Sequence, residues 1–152
     1  MSTLVFPSHV RERILEQHAR LRTLLYGALE HAKRGACNDQ ELDPARLRTV
    51  VVELCDEFRA HLAFESEALS PVFAVLDSWG PERIRELDTE HARQRRQLDV
   101  LRARLESEET VHHLSAAIIE LADDLLKDMD AEEDGCLRAS LLSAVCLTVE
   151  RR

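Results

Sequence analysis

Aromatic residues are scarce in this chain: Phe, Tyr and Trp make up 4% of its 152 residues. Sheets lean on aromatic and β-branched side chains, so this shortage, beside an abundance of Leu, Ala, Glu and Arg, favours helix over sheet. No basic stripe relieves the formal charge of -9, which argues against a nucleic-acid partner. Long apolar runs are missing as well. The longest weakly polar stretch, Ala139 to Val149, is too short to cross a bilayer, so no membrane partner is expected. The first residues hold no basic segment followed by an apolar one, and the cytoplasm is the expected compartment. The four cysteines, Cys37, Cys55, Cys136 and Cys146, lack Cys-x-x-Cys spacing and are expected as free thiols, Cys55 in the core. There is no internal repeat.

What is present fits a single soluble domain over residues 1–152: hydrophobic content is 45% and charged content 32%. The few prolines and glycines punctuate it. Ser8, after Pro7, is a plausible cap for a first helix from about His9 to Lys33, stopped by Gly35. Asn38 to Leu42 reads as a polar loop. Asp43-Pro44 is a strong start signal for a second helix, which Pro71 should break or sharply kink. Ser78-Trp79-Gly80 is a turn, and Pro81 opens a third helix. A short connection at Ser107 to Thr110 leads to a fourth, from about Val111 to Asp134, ended by Gly135. Short connections between long helices predict an all-α fold, an up-down-up-down antiparallel four-helix bundle with its core in residues 9–134. The tail, 135–152, is semi-apolar and reads equally as helix, strand or packed coil.

The apolar stripe of each helix is interrupted by polar residues. In the first helix His18 interrupts Ile14, Leu21 and Leu25. In the second, Leu47, Val51, Leu54 and Phe58 lead to His61 and Glu65. In the third, His91 and Gln94 fill the gap between Leu87 and Leu98. In the fourth, Leu114, Ile118, Leu121 and Leu125 lead to Asp128 and Glu132. In antiparallel order, and at a rise of ~1.5 Å per residue, these groups fall at one height within about a turn. Burying carboxylates without compensation is expensive. Left to pair among themselves, three imidazoles and three carboxylates would cost ~1–3 kcal/mol for each mismatch. Divalent cations resolve the conflict, since neutral imidazole nitrogen and carboxylate oxygen suit iron, manganese or zinc. Six donors are many for one ion, so a two-metal centre follows more naturally. Cys136, one turn beyond Glu132, puts a thiol near this layer.

The order His18, then His61-Leu-Ala-Phe-Glu65, then Glu90-His91, then Asp128-Met-Asp-Ala-Glu132-Glu133 resembles the hemerythrin-like (HHE cation-binding) family across residues 9–134. The resemblance implies a four-helix bundle around two iron ions, a non-haem diiron centre with a bridging oxo or hydroxo group and a position for dioxygen. It implies that His18 and His61 hold one iron, His91 and Asp128 the other, and that Glu65 and Glu132 bridge. Two places depart from the family pattern. Asp128 stands where the last arm normally begins with histidine. Arg95 stands where oxygen-carrying members have a second histidine, one turn after His91. Asp88 and Glu133 are the nearest substitute donors. A carboxylate in place of an imidazole stabilises the ferric state, so the expected role is sensing iron, oxygen or redox state, or handling iron, rather than reversible oxygen carriage.

Two other classes compete. An enzyme could use the same centre for ferroxidase, peroxide or nitric-oxide chemistry. A metal-free interaction or phosphotransfer bundle would need an exposed reactive histidine, whereas His18, His61 and His91 lie on inward stripes. His9, His31, His112 and His113 read as surface histidines.

Overall fold

The computed structural model describes residues 2–37, 43–107, 111–143 and 145–150. Four helices, α1 (Pro7–Cys37), α2 (Pro44–Leu76), α3 (Gly80–Glu106) and α4 (Val111–Asp134), form the expected antiparallel bundle. α1 packs on α2 and α4, α2 packs on α3, and α3 meets α4 more sparsely. Among the described residues, no helix is long and apolar enough to cross a membrane. The loop expected over Asn38 to Leu42, and residues 108–110 of the later connection, lie outside the described residues.

Local chemistry sets the helix boundaries. Asp43 caps α2: its Oδ1 accepts from the backbone N–H of Ala45 at 3.0 Å and of Arg46 at 3.3 Å, with Pro44 in the first turn. α1 begins at Pro7 rather than after Ser8, because the Phe6 carbonyl already accepts from His9 at 3.0 Å and Val10 at 3.2 Å. Gly35 does not stop α1; it is a buried position inside a helix that runs on to Cys37. Pro71 does not break α2 either. Its ring cannot supply the bond to the Glu67 carbonyl, a loss of ~3 kcal/mol in a free helix. Here Leu69, Val72 and Phe73 on the flanking turns are all buried with Ile14, Leu87, Leu137 and Leu142, and that packing carries the helix through to Leu76.

The tail resolves into turns and a strand. Leu137 and Leu142 plug the lower end of the bundle, and β2 (Leu147–Glu150) pairs antiparallel with β1 (Ser2–Val5) in the register Ser2↔Glu150 to Val5↔Leu147. Four-residue strands are too short for a periodic pattern to reveal them.

The core is in two parts. One cluster fills the upper bundle with Leu25, Leu54, Phe58, Leu98, Ile118, Leu125 and Met129. The other closes the lower end with Ile14, Leu69, Phe73, Leu87 and Leu137. Along every helix the polar interruption falls between them: His18 between Ile14 and Leu21, His61 and Glu65 between Phe58 and Leu69, His91 between Leu87 and Leu98, Glu132 between Met129 and Leu137.

Gly80 is where α3 starts close against α2, and a Cβ there would sit 2.0 Å from the Phe73 carbonyl oxygen. Gly80→Ala should therefore destabilise the fold by roughly 1–3 kcal/mol, since backbone must move to admit the methyl. A Cβ at Gly27 would meet nothing within 4 Å, so Gly27→Ala should stabilise by about 0.5–1 kcal/mol through helix propensity alone. Denaturant midpoints of the two variants check both signs.

Candidate metal centre

Each inner-face side chain is delivered by its helix at the break between the two apolar clusters. His18, Glu65 and His91 have no exposed surface, and His61 is 4% exposed. His18, His61, Glu65 and Glu132 each offer one ligand atom such that all four lie within 4.8 Å of one another. Glu65 is the hub: its Oε2 is 3.4 Å from His61 Nε2 and 3.1 Å from His91 Nε2. His18 Nε2 lies 3.4 Å from Glu132 Oε2.

The outward nitrogen of each imidazole is tied to a different partner. His18 Nδ1 donates to Glu133 Oε1 at 2.8 Å, and Arg22 holds that carboxylate from the other side at 2.7 Å. His61 Nδ1 lies 2.8 Å from Gln17 Oε1, and His91 Nδ1 lies 2.7 Å from the Ser66 hydroxyl. With Nδ1 engaged outside, Nε2 of all three rings faces the carboxylates. Metal-ligating histidines are oriented in this way, the outer bond fixing both tautomer and ring angle. These supporting residues are absent from the stripe pattern because they sit on helix flanks. A signal was nevertheless there: Gln17, Ser66 and Glu133 are polar neighbours of His18, Glu65 and Glu132 in the chain, and each supports a ring on an adjoining helix.

The electrostatics leave a place for positive charge. An ionised Glu133 only accepts, so it fixes the hydrogen of a neutral His18 on Nδ1 and leaves Nε2 as a bare lone pair facing Glu132. Among the described residues, His18 Nε2 and Glu65 Oε1 are both buried and both lack a hydrogen-bond partner. Burial would lower the His18 pKa, but the carboxylates of Glu132 and Glu133 outweigh it and raise it above the usual 6.5. Burial likewise works to raise Glu65, yet hydrogen bonds from His61 and His91 hold it down at about 2. Glu132 moves the other way, pushed up by burial and then by the charge of Glu65. A proton on His18 serves one facing pair of acceptors at a time, whereas a divalent cation would serve the whole group. The donor set, imidazole nitrogen and carboxylate oxygen, fits such an ion.

Asp128 is placed differently from the other five candidates. After Leu125 the buried stripe of α4 steps by four to Met129, which is 1% exposed, and not by three to Asp128. Asp128 lies on the flank towards α3, where its Oδ2 accepts from Arg93 at 2.6 Å and from Gln94 at 3.2 Å. Arg93 also pairs with Glu90. Arg95 and Asp88 are exposed, and the inner position one turn after His91 belongs to Gln94. Glu133 faces outward from the cluster while Glu132 joins it. Cys136 packs beside the layer with Sγ 3.9 Å from the Glu132 carbonyl, and its thiol is pushed up to about 12 by burial and by the charges of Glu65 and Glu132. Cys55 is buried in the upper cluster, His9, His112 and His113 are exposed, and His31 is half-buried.

A profile for the hemerythrin HHE cation-binding domain matches residues 9–139. The chain belongs to the hemerythrin HHE cation-binding family. Neither curated proteins nor solved structures gave a match. The hemerythrin-like match and the His/Glu cluster together make the chain a cation-binding-type bundle with a ligand set compatible with metal.

The metal-free protein should depend heavily on Glu65. Glu65→Ala leaves His61 and His91 without their shared acceptor, and breaking a buried pair in this way should destabilise the metal-free fold by about 3–5 kcal/mol. Denaturation in the presence of a chelator gives the measurement. A loss below ~1 kcal/mol would show that the imidazoles do not rely on this carboxylate.

Proposed function

We propose that this protein binds two iron ions in a non-haem centre held by His18, His61, Glu65, His91 and Glu132, with Asp128 as the sixth candidate ligand. The observation that carries this is the shared orientation of the three rings: every Nδ1 is anchored outward, and every Nε2 faces a carboxylate, His61 and His91 that of the fully buried Glu65 and His18 that of the half-buried Glu132. Glu65 meets imidazoles of two helices through Oε2 and keeps Oε1 without a partner among the described residues, which suits a bridging carboxylate. Glu132 lies across from it, against His18. Manganese or zinc would suit the same donors, and iron is preferred from the family.

Bound iron would supply one-electron redox chemistry. The chain's own residues set the terms for it. Glu65 and Glu132 place negative charge against the metal, and Asp128 and Gln94 stand where oxygen-carrying members have further imidazoles, which together favours the ferric state. The two apolar clusters lie above and below the layer and would limit the access of bulk water along the bundle axis. These features support sensing of iron, oxygen or redox state, or iron handling, rather than reversible oxygen carriage. The burial of His18, His61 and His91 also counts against phosphotransfer through these rings.

Metal analysis with an absorption spectrum tests the proposal. About two irons per chain, with near-ultraviolet bands of a bridged ferric pair, are expected. Glu65→Ala and Glu132→Ala should each lose both ions. Iron that is released and reloaded with oxygen through repeated cycles would contradict the sensing role, and sustained turnover of iron, peroxide or nitric oxide would make the protein an enzyme. The supporting residues give a further expectation. Gln17→Ala and Ser66→Ala should weaken metal binding roughly 10–100-fold while leaving the helical content unchanged. Equilibrium dialysis beside circular dichroism separates the two effects.

A further inference from the structure

The two metal positions implied above are built unequally. On one side of Glu65, ligand atoms of His18, His61, Glu65 and Glu132 already converge within 4.8 Å. On the other side His91 Nε2 stands against Glu65, and the groups next along α3 and α4 are Gln94 and Asp128. The amide oxygen of Gln94 is buried without a hydrogen-bond partner among the described residues. The Asp128 carboxylate is occupied. Arg93 donates to it at 2.6 Å, and the same guanidinium is held in place by Glu90 and by Gln97 at 3.1 Å. The charges follow the same division. Glu65 and Glu132 balance one divalent cation. The charge of Asp128 is already offset by Arg93, so a second cation would meet no uncompensated carboxylate.

We propose that Arg93 acts as a built-in competitor for the second metal position, so that the chain binds one ion tightly at His18/His61/Glu65/Glu132 and a second weakly at His91/Gln94/Asp128, the second requiring Asp128 to leave Arg93. This rests on the dimetal reading above. Arg93 is a positioning residue here: it acts only through Asp128. The consequence is a centre whose occupancy depends on metal supply, singly loaded when the ion is scarce and doubly loaded when it is plentiful.

Titration of the chelator-treated full chain with cobalt(II), followed by calorimetry and visible absorption, tests this without relying on iron redox activity. The wild type should take up one equivalent, then a second with affinity weaker by roughly tenfold or more. Arg93→Gln should tighten the second equivalent by about tenfold and leave the first little changed. Arg93→Gln combined with Asp128→Asn should cancel that gain, an outcome that general loosening of the helix would not produce. Two equivalents of equal affinity in the wild type would overturn the proposal and leave the dimetal reading standing. So would an Arg93→Gln variant whose second affinity is unchanged. No bound cobalt at all would overturn the dimetal reading, and the proposal with it. Equal affinities in the wild-type titration would overturn the proposal even if a variant folds poorly.

Discussion

A carboxylate with no exposed surface, Glu65, sets the condition that the rest of the layer satisfies. An ionised group so placed is tolerated only when donors or cations surround it. Two imidazoles on two helices meet its Oε2, while its Oε1 has no donor. The second carboxyl of the layer, the half-buried Glu132, cannot help, because two like charges so close oppose each other; desolvation and Glu65 together raise its pKa. The layer is thus short of positive charge by design of its own contacts. That shortage, more than the number of candidate ligands, is what makes the interior suited to a cation.

The cost of such a layer is contained by its surroundings. Burying a large apolar side chain contributes about 1.5–3 kcal/mol, and well-packed residues of this kind lie both above and below the polar plane. The upper cluster holds the four helices together without reference to the site. The lower one depends on the tail, because Leu137 and Leu142 complete it. Residues that tune the centre are mostly the chain neighbours of those that form it. Gln17 and Ser66 hold rings of the next helix, as Glu133 does, so a small change in helix rotation would move inner and outer groups together. Arg93, two residues after His91, extends this logic to charge.

Much of this was legible in the sequence, and the parts that were not share a physical cause. Stripe periodicity and helix-end chemistry at Pro44, Pro81 and Gly135 gave the four helices, because capping and burial are local or repeat every few residues. His18, His61, Glu65, His91 and Glu132 stood out as polar residues on apolar stripes, and the fold brings them to one layer. Asp128 stood out equally, yet helical spacing permits a step of three or four after Leu125, and Met129 takes the inner place. That choice is made by packing against α3, which no single-helix pattern contains. Pro71 was expected to interrupt α2, since its penalty is local while the burial of Val72 and Phe73 that offsets it is tertiary. The bonds from Gln17 to His61, from Ser66 to His91 and from Arg93 to Asp128 cross between helices, and only their chain proximity to stripe residues hinted at them.

The pairing of β1 with β2 carries a mechanical consequence. Ser2 faces Glu150 at the outer end of the ribbon, and Val5 faces Leu147 at the inner end. Tension applied through Ser2 and Glu150 would therefore act on one outer pair at a time, a zipper rather than a lap joint. The ribbon would peel at low force while the helices, loaded only afterwards and through Pro7 and the segment behind Leu142, still held their side chains in register. The lower apolar cluster would be the first part of the interior to feel the pull, and the layer of His18, His61, Glu65 and His91 lies between it and the upper cluster.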